Sequence, residues 1–236
     1  MKSYITGLTL AALAASLQVA PAAELTGKVT LKGTPKPEIP IELGDICGKL
    51  HNGPVTTRHY VVGPNHELAN VFVYIKEGAK KTPPTAEAPV LDQKDCLYQP
   101  YVMGVVTGQK FKIRNSDPFM HNVHGTPKNN KEFNFAQAVK GQENERAFEN
   151  PEVLVRMMCN VHGWMFAYIG VVDHPYFAVT DKDGSFKIPN LPAGTYTIEA
   201  FHQKIGPTGA KTQKITVGDS DKKTVDFELE VPPVAK

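Results

Sequence analysis

The chain has 236 residues, with 26 Lys and Arg against 24 Asp and Glu, a formal net charge of +2. That near balance offers no basic face to nucleic acid and no polybasic anchor to a membrane surface. Nineteen glycines and nineteen prolines punctuate short apolar runs, and no long amphipathic helix is evident, so the chain reads as all-β.

Residues 1–22 read as a secretory signal peptide. Lys2 supplies a positive start, Ile5 to Val19 is apolar or small, and Ala20-Pro21-Ala22 fits a small-x-small cleavage site. The apolar stretch falls short of the ~20 residues needed to span a bilayer, and no other segment is long and apolar enough. The mature protein is therefore expected to be periplasmic or secreted, with no membrane span. Three cysteines make an odd count for such a compartment. Cys47 and Cys96 are expected to pair, the alternative being two separately buried thiols. Cys159 is then an unpaired exported thiol, which a bound metal would occupy.

In chain order, Val71 to Ile75 is a short apolar run suited to a buried strand. Gly78 to Pro89, rich in Lys, Pro, Thr and Ala, reads as a linker or long loop. Lys110 to Arg114 alternates strictly, with Phe111 and Ile113 on one face. Phe135 to Phe148 is the best helical candidate, interrupted by Gly141. Val153, Val155, Met157 and Cys159 share one face of a strand by the two-residue period, which turns the thiol toward the apolar side. A second compositional break falls at Asp173-His174-Pro175. Further strands are expected at Phe166–Val172, Phe186–Ile188, Thr195–Phe201, Thr212–Val217 and Thr224–Glu230. Asp183-Gly184 is a hairpin signal. The surrounding Asp181-Lys-Asp183-Gly184 lacks the further oxygen ligands and closing Glu of a calcium loop.

One constellation carries chemistry. Cys159-Asn-Val-His162-Gly-Trp-Met165 places a thiol, an imidazole and a thioether three residues apart, and His121 lies upstream in Asp117-Pro-Phe-Met-His121-Asn122-Val-His124. Two nitrogens, one thiolate and a weak axial thioether are the donors of a blue-copper electron-transfer site. Zinc is the main rival metal, but structural zinc sites seldom use methionine. Covalent haem is excluded, because Cys-x-x-Cys-His is absent. His124 is a second candidate imidazole; on a continuing strand its odd offset from His121 sends it to the opposite face, so His121 is preferred. Met120 is expected to pack, and Trp164 to pack beside the site or to join an apolar docking surface. His51, His59, His66, His174 and His202 read as surface or loop histidines without a role.

These residues carry a family resemblance. Residues 88–173 resemble a cupredoxin: Gly108 to Asp117 followed by His121-Asn122 is similar to the segment that delivers the first histidine ligand, and Cys159-x-x-His162-x-x-Met165 resembles the short ligand loop of amicyanin. The resemblance implies a Greek-key β-sandwich holding one type 1 copper ion. Its equatorial ligands would be His121, Cys159 and His162, its axial ligand Met165, and the Asn122 side chain would tie the two ligand-bearing segments together. Phe177 to Phe201 resembles the second half of a carboxypeptidase regulatory-like (transthyretin-type) sandwich, while Leu25 to Gly33 and Ala69 to Ile75 resemble its first half. A second, smaller sandwich split over residues 24–85 and 174–232 is therefore expected, with the cupredoxin inserted between. The alternative is one enlarged cupredoxin with a separate C-terminal domain.

The resemblance implies a one-electron carrier rather than an enzyme, serving redox proteins such as a c-type cytochrome or a periplasmic dehydrogenase. The edge of His162 would be the electron exit. The competing reading is a copper-binding or docking module with no electron-transfer role. A mononuclear copper oxidase is weaker, since four protein ligands leave no open position. Neither Ser-His-Asp spacing nor His-Glu-x-x-His occurs, and His66-Glu67 lacks a second histidine.

Overall fold

The structure is a computed structural model that describes residues 22–84 and 87–233. The signal segment thus lies, Ala22 apart, outside the described residues. Among the described residues no helix is long and apolar enough to cross a membrane.

The elements run β1 (Ala23–Lys32), a single helical turn α1 (Gly44–Gly48), β2 (Phe72–Glu77), β3 (Val90–Lys94), β4 (Leu97–Gln99), β5 (Val102–Val106), β6 (Phe111–Asn115), β7 (His121–Thr126), β8 (Phe133–Gln137), β9 (Glu143–Arg146), β10 (Glu152–Met158), β11 (Phe166–Val172), β12 (Phe177–Val179), β13 (Ser185–Leu191), β14 (Gly194–Phe201), β15 (Lys211–Val217), β16 (Lys222–Thr224) and β17 (Phe227–Glu230). The fold is all-β, and its sheets stack in four layers. The first has the order β13-β1-β16, with β17 also on β1; the second is β12-β2-β14-β15; the third is β5-β11-β10-β7-β8; the fourth is β4-β3-β6-β9. One apolar core, including Leu25, Val73, Ile188 and Ile198, fills the space between the first two layers. A second, including Leu91, Phe111, Ile113, Val155, Met157 and Ile169, fills the space between the last two. These are two β-sandwiches.

The inner layers meet back to back. In β2, Val73 and Ile75 enter the first core while Phe72 and Tyr74 turn the other way, as a strand buried on both faces requires. They join Tyr101, Val102, Val172 and the partly buried Tyr168 and Phe177 in a third apolar cluster. Gly104 of β5 pairs with Gly170 of β11 in the parallel register of the two strands. A Cβ at Gly170 would overlap the Phe72 ring, and one at Gly104 the Phe177 ring. The two bare backbones thus form the floor on which Phe72 and Phe177 lie, their ring centroids 5.6 Å apart.

The sheets of the first sandwich draw on both ends of the chain. β1 pairs with β13, β16 and β17, and β2 pairs with β12 and β14. The single strand expected over Thr224–Glu230 is two, β16 and β17, each running parallel to one half of β1. At the break Asp226 accepts the Lys28 N–H and Val225 donates to Thr26.

Three further expectations are corrected. Phe135–Phe148 is not helical: β8 and β9 occupy it, with Gly141 at φ +81° in the turn between them. A period of two fits better there, since Phe133 and Phe135 stack with centroids 6.0 Å apart and the Arg146 guanidinium lies 4.3 Å from the centre of the Phe135 ring. Val153 does not share the face of Cys159, because a bulge at Leu154 (φ +59°) interrupts β10 and sends Val153 and Leu154 to the third cluster. The turn at Asp183-Gly184 forms, closed by Asp181 and Ser185, but its flanking strands do not pair as a hairpin. Thr180 bonds Leu68 and Val71 and holds β12 on β2, while β13 crosses to β1.

Candidate metal centre

The site lies at one end of the second sandwich, where β7 begins and β10 ends. β10 is antiparallel to both β7 and β11, so the loop after Cys159 must return within a few residues. It is closed by its own backbone: the Cys159 N–H donates to the Met165 carbonyl at 3.2 Å, and the Met165 N–H to the His162 carbonyl at 2.9 Å. The Tyr98 hydroxyl on β4 donates toward the carbonyls of Asn122 and Met158, at 3.1 and 3.3 Å, and so ties both ligand-bearing strands to the fourth layer.

Three donors converge. The Nδ1 atoms of His121 and His162 are 3.0 Å apart, and the Cys159 Sγ is 3.7 Å from the His162 Nδ1. Ligand atoms of these three residues all lie within 4.8 Å of one another. Cys159 and His121 are buried and His162 is half-buried. Met165 is fully buried in the same apolar core as Cys159, and Trp164 packs against that core. Phe119 presents an edge to both imidazoles. Asn122 links the two segments: its backbone N–H donates to the Cys159 Sγ at 3.3 Å, and its side-chain oxygen accepts the Asn160 N–H at 3.2 Å.

His124 is not brought to the cluster. It lies across the strand, with Nε2 2.6 Å from Glu132 and Nδ1 3.3 Å from the Asn160 side chain. Met120 does not pack; it is 47% exposed, and Val161 beside His162 is 49% exposed. Two histidines read as surface or loop residues are buried: His174, which bonds the Ile75 carbonyl, and His202, stacked on Tyr60. His51 bonds the Asp95 carbonyl at 2.7 Å.

The expected Cys47–Cys96 pair forms, and its place beside the site, like that of Asp117, is seen only in the structure. Cys47 and Cys96 form a disulfide whose sulfurs lie within 4.8 Å of a His162 ring nitrogen, leaving Cys159 as the free thiol. The Trp164 Nε1 donates to the Cys96 carbonyl at 3.1 Å. Asp117, four residues before His121, is buried with its Oδ2 2.8 Å from the His121 Nε2. An Asn-Ser-Asp-Pro run is a turn signal. Its carboxylate use was not legible, because the groups it binds come from β3–β4 and β7.

The electrostatics suit a cation. Burial alone would raise the Cys159 thiol; the bond from His121 and the N–H groups of Asn122, His162 and Val161 outweigh it and hold the thiol below its usual value. Burial would also raise the Asp117 carboxyl, yet His121 and the N–H groups of Cys96 and Asp95 hold it below the ordinary carboxylate range. Burial opposes a proton on His121, but Asp117 and Cys159 raise its affinity for one above the usual imidazole value. Burial and the neighbouring His121 lower His162. Two imidazoles facing each other through Nδ1 share at most one proton, and a metal ion between them and the thiolate would replace it. The donor set therefore fits a soft or borderline metal ion.

A sequence model of the carboxypeptidase regulatory-like domain matches residues 167–230, beginning within β11. No curated protein sequence matches the chain. Among solved structures the chain is similar to a copper-containing nitrite reductase from Thermus scotoductus SA-01, at 18% identity and a TM-score of 0.35, over 43% of this chain and 25% of that one. It is similar to a purple cupredoxin from Nitrosopumilus maritimus, at 21% identity and a TM-score of 0.31, over 36% of this chain and 99% of that one. An oxidised amicyanin mutant matches at 20% identity and a TM-score of 0.33, over 42% of this chain and 97% of that one. This chain thus spans a quarter of the nitrite reductase and nearly all of the two smaller proteins. Cupredoxins and the carboxypeptidase regulatory-like domain, the two families its motifs resemble, both occur among the proteins it is similar to.

Proposed function

We propose that the chain is an exported type 1 copper protein that carries single electrons between periplasmic redox partners. One observation carries the reading: a buried thiol with a lowered proton affinity and two imidazole Nδ1 atoms converge at one end of a rigid sandwich. His121, Cys159 and His162 would be the equatorial ligands and Met165 the axial one. Copper would supply a one-electron couple. The protein's own part is to keep the donors still. The closed Cys159–Met165 turn, the Asn122 bonds and the Tyr98 tether hold them in register, so little rearrangement accompanies the charge change. The apolar shell of Phe119, Trp164 and Met165 limits water.

His162 is the proposed exit. It is half-buried, and the residues that precede the two histidines in the chain, Val161 and Met120, are exposed. A small apolar patch suits brief encounters with a c-type cytochrome or a periplasmic dehydrogenase. Four such protein donors would leave no position for a substrate, so the reading is a carrier rather than an enzyme. Export rests on the signal segment and on the Cys47–Cys96 disulfide, a bond that persists in oxidising compartments. The domain reading is a sandwich of residues 24–85 and 174–232 with residues 88–173 inserted. It is supported by the pairing of β1 and β2 with strands beyond residue 174.

A copper-binding docking module is the second reading. It is favoured by the first sandwich, which adds a surface fixed to the second where Phe72 and Phe177 lie on Gly170 and Gly104. Visible absorption and EPR of the mature protein loaded with Cu(II) test the first. The expected result is an intense sulfur-to-copper band with unusually small copper hyperfine splitting, lost in Cys159→Ser. A colourless protein, or a blue Cys159→Ser protein, refutes the ligand assignment. A blue protein that cannot be cycled without losing copper is the docking module.

A further inference from the structure

We propose that Asp117 is the positioning residue of the centre, and that its carboxylate fixes the ligating atom of His121 and holds the copper couple toward the oxidised state. The proposal rests on the copper reading above.

The geometry begins with the backbone. Asp117 follows β6 in a turn closed by the Asn115 side chain, whose oxygen accepts the Asp117 N–H at 2.9 Å and whose amide donates to the Phe119 carbonyl at 2.8 Å. This turn aims the carboxylate inward, where it is buried. Oδ1 accepts the Asp95 N–H at 2.8 Å, and Oδ2 accepts the Cys96 N–H at 2.9 Å. Asp95 and Cys96 form the β3–β4 turn, both at positive φ, and Cys96 is one end of the disulfide. Backbone N–H groups can only donate, so both oxygens already act as acceptors. The third partner is the His121 Nε2, 2.8 Å from Oδ2. An ionised carboxylate has no proton to give, so that nitrogen must carry one.

The tautomer follows. With Nε2 holding its proton on Asp117, Nδ1 is the nitrogen left to offer a lone pair to a metal ion, and Nδ1 is the atom that faces the His162 Nδ1. Asp117 therefore selects the ligating atom before any metal arrives. It also joins His121 to the disulfide turn, against which His162 and Trp164 pack from the other ligand segment.

The charge count gives the second consequence. The Cys159 thiolate and the Asp117 carboxylate together balance a divalent ion. When one electron arrives and no proton moves, the reduced centre is left with one uncompensated buried negative charge. Buried unpaired charge is costly, so the carboxylate favours the divalent ion over the monovalent one. Asp117→Asn removes that bias at nearly constant volume. The reduced centre becomes neutral and the oxidised centre carries the excess.

Two measurements on the full mature chain test this. The first is 15N NMR of the histidine rings in the metal-free wild-type protein, near neutral pH. A His121 ring with a proton on Nε2 is expected, and a predominant Nδ1–H tautomer overturns the proposal without any variant having to fold. The second compares the midpoint potentials of the copper-loaded wild-type and Asp117→Asn proteins. The variant is expected to keep its sulfur-to-copper band while the ratio of monovalent to divalent copper affinity rises at least tenfold, about 59 mV for one electron. A retained band with an unchanged potential overturns the charge effect and leaves Asp117 a cap on the β3–β4 turn. If neither protein develops the band, the copper reading fails and takes the charge effect with it. The metal-free NMR result still decides whether Asp117 sets the His121 tautomer.

Discussion

At the scale of single residues, the centre divides its labour between donors and the groups that aim them. Cys159 and His162 sit on one short loop and His121 on a distant strand, so the thiol meets both imidazoles only when the two segments are packed together. Met165 is the weakest donor of the proposed set, and its burial gives it a packing role as well. Met165→Leu is expected to retain copper and to raise the potential, because the axial thioether donates electron density that favours the divalent ion. Potentiometry checks the direction, and loss of all copper would show that Met165 is more than an axial donor. His124→Ala is expected to leave the visible spectrum intact, since His124 bonds Glu132 and Asn160 away from the cluster. If that variant is colourless and His121→Ala is blue, the first-histidine assignment is reversed.

At the scale of elements, the back-to-back packing of the two inner sheets depends on what is missing from β5 and β11. Gly104 and Gly170 are paired neighbours, and two aromatic rings of the other sandwich occupy the space their side chains would fill. Gly170→Val should therefore lower stability by about 1–3 kcal/mol, the usual cost of overpacking a filled site, measured by urea unfolding. Phe72→Ala in the same chain should recover part of that loss, because the two substitutions share one space. Additive losses would mean that the ring and the strand do not compete for it. The bulge at Leu154 acts at the same scale. It lets one strand serve both sides of its sheet, with Val153 on the interface and Val155, Met157 and Cys159 in the core.

For the whole molecule, folding also encloses a titratable group that takes no part in the metal cluster. His202, at the end of β14, is buried; burial first, and nearby Lys204 second, push its pKa down to about 4. Its Nδ1 has no hydrogen-bond partner among the described residues. An unfolded chain takes up this proton near pH 6.5, whereas the folded chain resists until about pH 4. Between those values the unfolded state binds more protons, so stability falls as pH falls. The window of about two and a half pH units corresponds to about 3 kcal/mol. Urea unfolding of the metal-free protein from pH 7 to pH 4 should show this decline, reduced in His202→Phe. An equal decline in both proteins would assign the acid sensitivity to other groups.

Much of this was legible before folding. Strict alternation marked β6, the apolar run Phe166–Val172 is β11 residue for residue, and the ligand loop with its upstream histidine stood out by donor type and spacing. These features are local: a period of two, or three donors within seven residues, needs no knowledge of what packs nearby. The sequence also determined which histidine faces the thiol, because side chains alternate along β7. Other features depend on long-range neighbours. A helix-like composition over Phe135–Phe148 became two strands because Arg146 and the phenylalanines found one another across a turn. Met120 reached solvent and His202 was enclosed, which no local pattern records. Tertiary structure alone brought the Cys47–Cys96 disulfide to His162 and the Asp95 and Cys96 N–H groups to Asp117, since these partners lie far apart in the chain. A single sequence lists the donors, but only the packed sheets decide which groups hold them and what charge surrounds them.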